Sequence, residues 1–154
     1  MGLEVGDVIP DFVIKKHDGT DFISKDYVGK QPFVIYFYPK NFTPGCTKEA
    51  CDFRDSYEDF KVQGVEVIGV SSDSVKSHER FKTKYRLPFI FLADTNNKVR
   101  KLFGVKSGLF GVLLGRETYV VDKKGVIQLK FNSINASSHL RKASKAISEM
   151  IKEK

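Results

Sequence analysis

The run PFVIYFYP, residues 32–39, constrains the fold of this chain more than any other segment. It is continuously apolar from Phe33 to Tyr38 and rich in β-branched and aromatic side chains, as is typical of a strand buried on both faces. A helix is predicted soon after it, because Thr43 suits the N-cap and Pro44 suits the first helical position. A central strand that leads into a helix favours an α/β architecture.

An apolar stripe runs along this predicted helix. Cys46 stands at its third position, and the stripe continues at spacings of four and three residues through Ala50, Phe53, Tyr57 and Phe60. This spacing places the side chains on one helical face, which we expect to pack on the preceding strand. Gly64 suits the helix end.

The rest of the chain alternates between short β-type runs and helical patterns. Asp18 and Gly19 predict a tight turn between two N-terminal strands. Two further strand–helix units follow the first helix, and the helix of the first unit is predicted to be capped near Ser72 or Asp73. Two strands and a final helix complete the pattern. The order predicts an α/β fold with a mixed central β-sheet flanked by helices on both faces and an N-terminal β-hairpin. The length predicts a single domain over residues 1–154.

Segment 105–115 fits none of these patterns. It places three glycines among apolar residues but lacks the Gly-Lys-Ser/Thr end of a P-loop and the glycine spacing of a dinucleotide-binding turn. We predict an apolar loop near the sheet edge. An apolar wall beside a substrate pocket is the functional alternative.

Basic residues outnumber acidic ones by 26 to 19, which gives a net charge of +7. The densest basic stretch, residues 139–154, is explained by the solvated face of an amphipathic helix, so we expect no nucleic-acid binding. No apolar run approaches the ~20 residues that span a bilayer, and no membrane segment is expected. Two cysteines, without an N-terminal apolar run of signal-peptide length, favour a reducing compartment and predict a cytoplasmic protein.

A structural zinc site is one explanation for a close cysteine pair. Such a site usually needs four ligands. The three histidines, His17, His78 and His139, are scattered along the chain, and each is interpreted as an exposed polar residue. No metal site is therefore expected.

Inert core packing is the other explanation, because free cysteine is often buried. Cys51 fits it poorly, since it turns away from the centre of the apolar stripe. Cys46 also fits it poorly: in a first helical turn, unpaired N–H groups and the positive end of the helix dipole favour a thiolate over a thiol. Cys46 is therefore a candidate nucleophile.

The residues around Cys46 resemble a known family. YPKNFTPGC contains the Pro-x-x-x-Thr-x-x-Cys pattern of peroxiredoxins, and TPGCTKEACDFRD is similar to their Q-type subfamily, also called bacterioferritin comigratory proteins. The resemblance extends from GDVIPDF through GVSSDSVKSHERF to RETYVVDKKG. It implies a thioredoxin-like fold and a thiol-dependent peroxidase that reduces hydrogen peroxide and organic hydroperoxides in antioxidant defence and redox homeostasis.

The resemblance also implies roles for individual residues. Cys46 becomes the attacking, peroxidatic cysteine; Thr43 supplies a hydroxyl to the peroxide and thiolate; and Pro39 shields the sulfur from water. Arg116 takes the place of the family's active-site arginine, where a guanidinium would stabilise the thiolate and bind the peroxide oxygens. Glu49, three residues after the cysteine, could accept a hydrogen bond from that arginine and orient it.

Cys51 matches the resolving cysteine of those Q-type members that carry one at this position. The resemblance then implies an intramolecular Cys46–Cys51 disulfide, which thioredoxin or a similar dithiol reduces. It implies no metal, haem or flavin cofactor. A monomer is expected.

Two rival functions remain for a chain of this kind. A disulfide carrier on the same fold would be expected to contain Cys-x-x-Cys, which is absent. A binding module without chemistry is the second, and the presence of Pro39, Thr43, Cys46 and Arg116 argues against it.

Overall fold

The computed structural model describes residues 2–105, 116–133 and 135–152. Its strands and helices, in chain order, are β1 (Val13–Lys15), β2 (Asp21–Ile23), β3 (Phe33–Phe37), α1 (Pro44–Val62), β4 (Glu66–Ser71), α2 (Val75–Tyr85), β5 (Ile90–Ala93), α3 (Lys98–Phe103), β6 (Glu117–Val121), β7 (Ile127–Asn132) and α4 (Ala136–Lys152). Apart from Val105, the loop predicted over residues 105–115 lies outside the described residues.

Five strands form the central sheet in the order β5-β4-β3-β6-β7. Strands β3, β4 and β5 are parallel, whereas β6 is antiparallel to β3 and to β7. The N-terminal hairpin β1-β2 forms a separate two-stranded sheet with Gly19 in its turn at a φ of 85°. The mixed sheet and the hairpin confirm the predicted fold class.

Strand β3 lies at the centre of the sheet, as its apolar run predicts, and all five of its residues are buried. Side chains on its two faces enter two different cores, because successive residues of a strand point to opposite sides. Tyr36 belongs to the core that includes residues of α1, α2 and α4, while Phe37 belongs to the core that includes residues of α3 and the N-terminal segment. The parallel strands bring the ends of β3 and β4 to one edge of the sheet, and α1 begins at that edge.

Helix α1 begins and ends where the sequence predicts. Thr43 is its N-cap residue, Pro44 is its first residue, and Gly64 follows its C-cap with a φ of 76°, a conformation that glycine adopts at little cost. The N-cap of α2 is Ser74, so the prediction of Ser72 or Asp73 was wrong by one or two residues. The Ser74 hydroxyl accepts a hydrogen bond from the backbone N–H of residue 77. Three candidate cap residues stand in a row there, and the sequence does not distinguish them.

No helix in the described part of the chain is long and apolar enough to cross a membrane.

Candidate active site

Cys46 lies in the first turn of α1 and is 1% exposed. It belongs to the apolar stripe that packs on the sheet, alongside Ala50 and Phe53. The backbone N–H groups of a first helical turn have no partner within the helix, and the helix dipole is positive there. A sulfur in this position therefore lies where a negative charge is stabilised.

Thr43 and Pro39 belong to the short loop that joins β3 to α1. The Thr43 side chain does not cap the helix; its hydroxyl donates to the Lys40 carbonyl at 2.8 Å. The hydroxyl oxygen keeps its lone pairs and can accept a further hydrogen bond. Pro39 is half-buried at the start of the loop.

A buried polar cluster anchors this loop to α2. Asn41 is 3% exposed, accepts from the Tyr38 hydroxyl at 2.5 Å, and its side-chain nitrogen lies 3.0 Å from Nδ1 of His78. The backbone N–H of Asn41 donates to Asp73 at 2.9 Å. The next residue, Phe42, has a φ of 68° and packs its ring against Phe81. Because this cluster fixes the chain just before α1, it also fixes the position of the first helical turn.

Arg116, from the segment that leads into β6, reaches the sulfur. Its Nη2 lies 3.5 Å from Sγ of Cys46, although 70 residues separate the two in sequence. Gly45 leaves room for this approach, because a Cβ at that position would lie 3.0 Å from the same Nη2 and crowd it. The structure thus brings the predicted arginine and the predicted nucleophile into contact.

Glu49 lies on the same side of α1 and is completely buried. It accepts from Nη1 of Arg116 at 2.6 Å, which confirms the predicted contact between these residues. Burial raises the pKa of Glu49 to about 8, against the opposing effect of the Arg116 charge. The Nη1 and Nη2 atoms of one guanidinium therefore face a carboxyl group and a sulfur.

His139, on α4, completes the site from a third element. Its Nδ1 lies 3.6 Å from Oε2 of Glu49 and 2.7 Å from Oγ1 of Thr118, and its Nε2 lies 2.7 Å from the carbonyl oxygen of Ser133. Burial lowers the pKa of His139 to about 4. Nε2 carries a proton, because the carbonyl oxygen of Ser133 can only accept.

The interpretation of the histidines as exposed polar residues was wrong for His78 and His139, both of which are 0% exposed; His17 is half-buried. Their ring nitrogens find buried partners that only the tertiary structure supplies. A signal was available in the sequence, since His139 precedes Ala143 and Ile147 at four-residue spacing on the apolar stripe of α4.

Cys51 is half-buried and lies in the second turn of α1. Both cysteines are free thiols within one continuous helix. Residues five apart on an α-helix have Cα atoms about 8–9 Å apart, whereas disulfides rarely bridge Cα atoms more than about 7 Å apart. The helix must change locally before the two sulfurs can bond.

Within the described ranges, no three Asp, Glu, His or Cys side chains come together in a group that could hold a metal ion.

The buried His78 predicts a pH dependence of stability. Burial lowers its pKa to about 4 from an ordinary value of 6.5, so between these values the unfolded chain binds a proton that the folded protein does not. The free energy of unfolding therefore falls with falling pH, by at most about 1.4 kcal/mol per pH unit from this residue. We expect His78→Gln to be less stable than the parent at neutral pH, with a difference that shrinks below pH 6.5. Urea denaturation at several pH values measures it; a difference that stays constant contradicts a neutral buried His78.

Comparison with known proteins identifies the family. Residues 5–130 match the model of the AhpC/TSA family. Peroxiredoxin Q from Triticum aestivum and from Sedum lineare, both named as chloroplastic, are each 56% identical over 128 residues, which is 83% of this chain. The match spans 58% and 68% of those two relatives, so this chain covers less than two thirds of the wheat protein.

Solved structures show the same architecture. Peroxidoxin BcpB from Mycobacterium tuberculosis superposes with a TM-score of 0.88 at 33% identity, covering 96% of this chain and 97% of that one. The bacterioferritin comigratory protein of Xanthomonas campestris, from a study of its alkyl peroxide reduction activity, superposes with a TM-score of 0.84 at 28% identity, covering 94% and 99%. The fold is thioredoxin-like, as predicted. The chain belongs to the AhpC/TSA family and, within it, to the peroxiredoxin Q group.

Proposed function

We propose that the protein is a thiol-dependent peroxidase that reduces hydrogen peroxide and organic hydroperoxides. The observation that carries this proposal is the Arg116 guanidinium 3.5 Å from the buried Cys46 sulfur at the start of α1. Cys46 thiolate attacks one peroxide oxygen, the O–O bond breaks, and the products are a cysteine sulfenic acid and, after protonation of the leaving oxygen, water or an alcohol. Alkyl peroxide reduction by the Xanthomonas relative is consistent with this chemistry.

The proposed roles of the surrounding residues follow from their positions. Arg116 donates to the thiolate and to the peroxide oxygens as negative charge moves between them. Glu49 holds the guanidinium through its 2.6 Å contact. The Thr43 oxygen accepts a hydrogen bond from the peroxide, and Pro39 limits the access of water.

Cys51 is the proposed resolving cysteine. Its thiolate attacks the sulfur of the Cys46 sulfenic acid, the S–OH bond breaks, and a disulfide and water form. Thioredoxin or a similar dithiol then reduces the disulfide by exchange. This cycle requires the start of α1 to open, because both cysteines are helical in the reduced protein.

Oxidation is therefore expected to change amide exchange in one segment. The Cys46–Cys51 disulfide should remove protection over roughly residues 45–54, because it cannot form across an intact helix. Hydrogen exchange on the reduced and the oxidised protein, with the disulfide verified by mass, measures the change. The later turns of α1 serve as an internal control. Unchanged protection over residues 45–54 in the oxidised protein contradicts the opening.

Steady-state consumption of peroxide with a thioredoxin system tests the function directly. We expect turnover that requires peroxide, thioredoxin and both cysteines. A disulfide carrier, the rival function, would reduce insulin disulfides without peroxide. A protein that consumes no peroxide while it reduces insulin would contradict the peroxidase.

We propose that residues 1–154 form a single domain and that the protein is a monomer. Light scattering measures its molar mass in solution and tests the monomer.

A cytoplasmic location is proposed from the reduced state that the thiols need between cycles. The wheat and Sedum relatives are named as chloroplastic. The proposed partners are a peroxide and a dithiol reductant, with no metal, flavin or haem, and no nucleic acid.

A further inference from the structure

One oxygen of the buried Glu49 carboxyl group has no evident role. Oε1 accepts from Arg116, but Oε2 has no hydrogen-bond partner in the part of the chain that the structure describes. An ionised carboxylate oxygen that is buried without a donor is costly. The ring nitrogen Nδ1 of His139 lies 3.6 Å from Oε2.

The site contains more potential negative charge than positive charge. Arg116 offers one guanidinium, which contacts Glu49 through Nη1 and Cys46 through Nη2. If both the carboxylate and the thiolate were ionised, they would compete for Arg116, because the buried Arg100, which also interacts with Cys46, interacts with the carboxyl groups of Asp94 and Glu117 as well. One additional proton close to Glu49 removes this competition.

Two atoms near Glu49 can hold this additional proton. Glu49 faces titratable or charged groups from every element packed around it, namely Cys46 and Asp52 of α1, Tyr36 of β3, Tyr38 just after β3, Arg116 before β6 and His139 of α4. Among these, His139 places a ring nitrogen 3.6 Å from Oε2, so a small side-chain movement would let a proton on either atom form a hydrogen bond to the other. The proton can therefore lie on Oε2 of Glu49 or on Nδ1 of His139.

The contacts of His139 accommodate both placements. Its ring faces Thr118 of β6, Phe131 and Ser133 at the end of β7, and the charge of Arg116. The Thr118 hydroxyl can donate to a bare Nδ1 or accept from a protonated one. The Ser133 carbonyl holds Nε2 as a donor in both cases.

We propose that Glu49 and His139 form a buried couple that holds one proton behind Arg116, so that the guanidinium charge is available to the Cys46 thiolate. The S–H bond of Cys46 breaks and the sulfur keeps the electron pair. Through exchange with solvent, an O–H bond forms on Oε2 or an N–H bond on Nδ1, and no redox change occurs. His139 is thus a positioning residue that acts through Glu49 and Arg116. This inference rests on the proposed role of Cys46 as the nucleophile.

A double-mutant cycle tests the couple. In a Cys51→Ser background, iodoacetamide alkylation reports the reactivity of Cys46 alone across acidic and neutral pH. His139→Gln should slow alkylation at neutral pH by about tenfold, because a glutamine amide beside Oε2 can donate to an ionised carboxylate, and an ionised Glu49 competes with the Cys46 thiolate for Arg116. Glu49→Gln, which is permanently neutral, provides the second background with its own reference rate, and His139→Gln should have no further effect on alkylation in that variant. Equal slowing in both backgrounds, or no slowing in either, overturns the proposal.

His78→Gln is the matched control, because His78 is equally buried but contacts the Asn41 cluster rather than Glu49. It should leave the pH profile of alkylation unshifted; a shift as large as that of His139→Gln overturns the specific role of His139.

Infrared and ¹⁵N-histidine spectra of the unsubstituted protein give a measurement that does not depend on whether the variants fold. A protonated Glu49 or a doubly protonated His139 at neutral pH supports the couple, and an ionised Glu49 beside a neutral His139 overturns it. If the unsubstituted protein fails to react with peroxide, the proposed function is wrong, but the alkylation and spectroscopic measurements still show whether Glu49 and His139 hold a proton together.

Discussion

Cys46→Ser is expected to abolish the reaction with peroxide completely, because no other described side chain offers a thiol beside Arg116. Cys51→Ser should instead keep a fast first turnover and lose the thioredoxin-dependent cycle. Without a resolving thiol, the sulfenic acid on Cys46 persists and is oxidised further to sulfinic acid. Stopped-flow mixing with hydrogen peroxide measures the first turnover, and mass spectrometry detects the added oxygens on the Cys51→Ser protein.

The two variants control for each other, since each removes one sulfur from the same helix and replaces it with a similar small polar side chain. Far-ultraviolet circular dichroism should show that both keep the helices. The division of labour would be refuted by an equal loss of the first turnover in both variants, or by thioredoxin-dependent cycling that survives in Cys51→Ser.

Arg116→Ala is expected to lower the second-order rate constant with peroxide by about 10²–10³-fold, the usual effect of removing one preorganised donor from a charge-developing site. The substitution removes the cation at 3.5 Å from the sulfur and leaves Glu49 buried without its partner. Alkylation of Cys46 at neutral pH should slow as well, because the thiolate loses its nearest positive charge.

Arg116→Lys separates charge from geometry, since it keeps a cation but cannot face Glu49 and Cys46 at once with two parallel donors. We expect an intermediate rate constant. Gly45→Val should imitate part of the loss, because its Cβ would lie 3.0 Å from Nη2 and displace the guanidinium. A pH profile of alkylation and a peroxide rate constant that are unchanged in Arg116→Ala would exclude the proposed role of the arginine.

The local sequence determined those strands, turns and helix ends whose formation depends on residues close together in the chain. The apolar run of β3, the start of α1 at Pro44 and the position of Cys46 in its first turn all follow from side-chain type and spacing, and the structure confirms them. The glycine turn of the N-terminal hairpin follows in the same way. The choice of Arg116 and Cys51 came from the resemblance to peroxiredoxins rather than from local pattern.

Only the tertiary structure decided which distant polar groups are buried together. His139 looked like a polar residue on a basic helix, yet the packing of α4 on β6 and β7 places it 3.6 Å from Glu49 and removes it from water. His78 is enclosed in the same manner by the loop before α1. Sequence periodicity shows which helical face turns inward, but a hydrogen bond forms between specific atoms across elements. The partners that make burial of a histidine or a glutamate tolerable are therefore fixed by the packing of strands and helices that lie far apart in the chain.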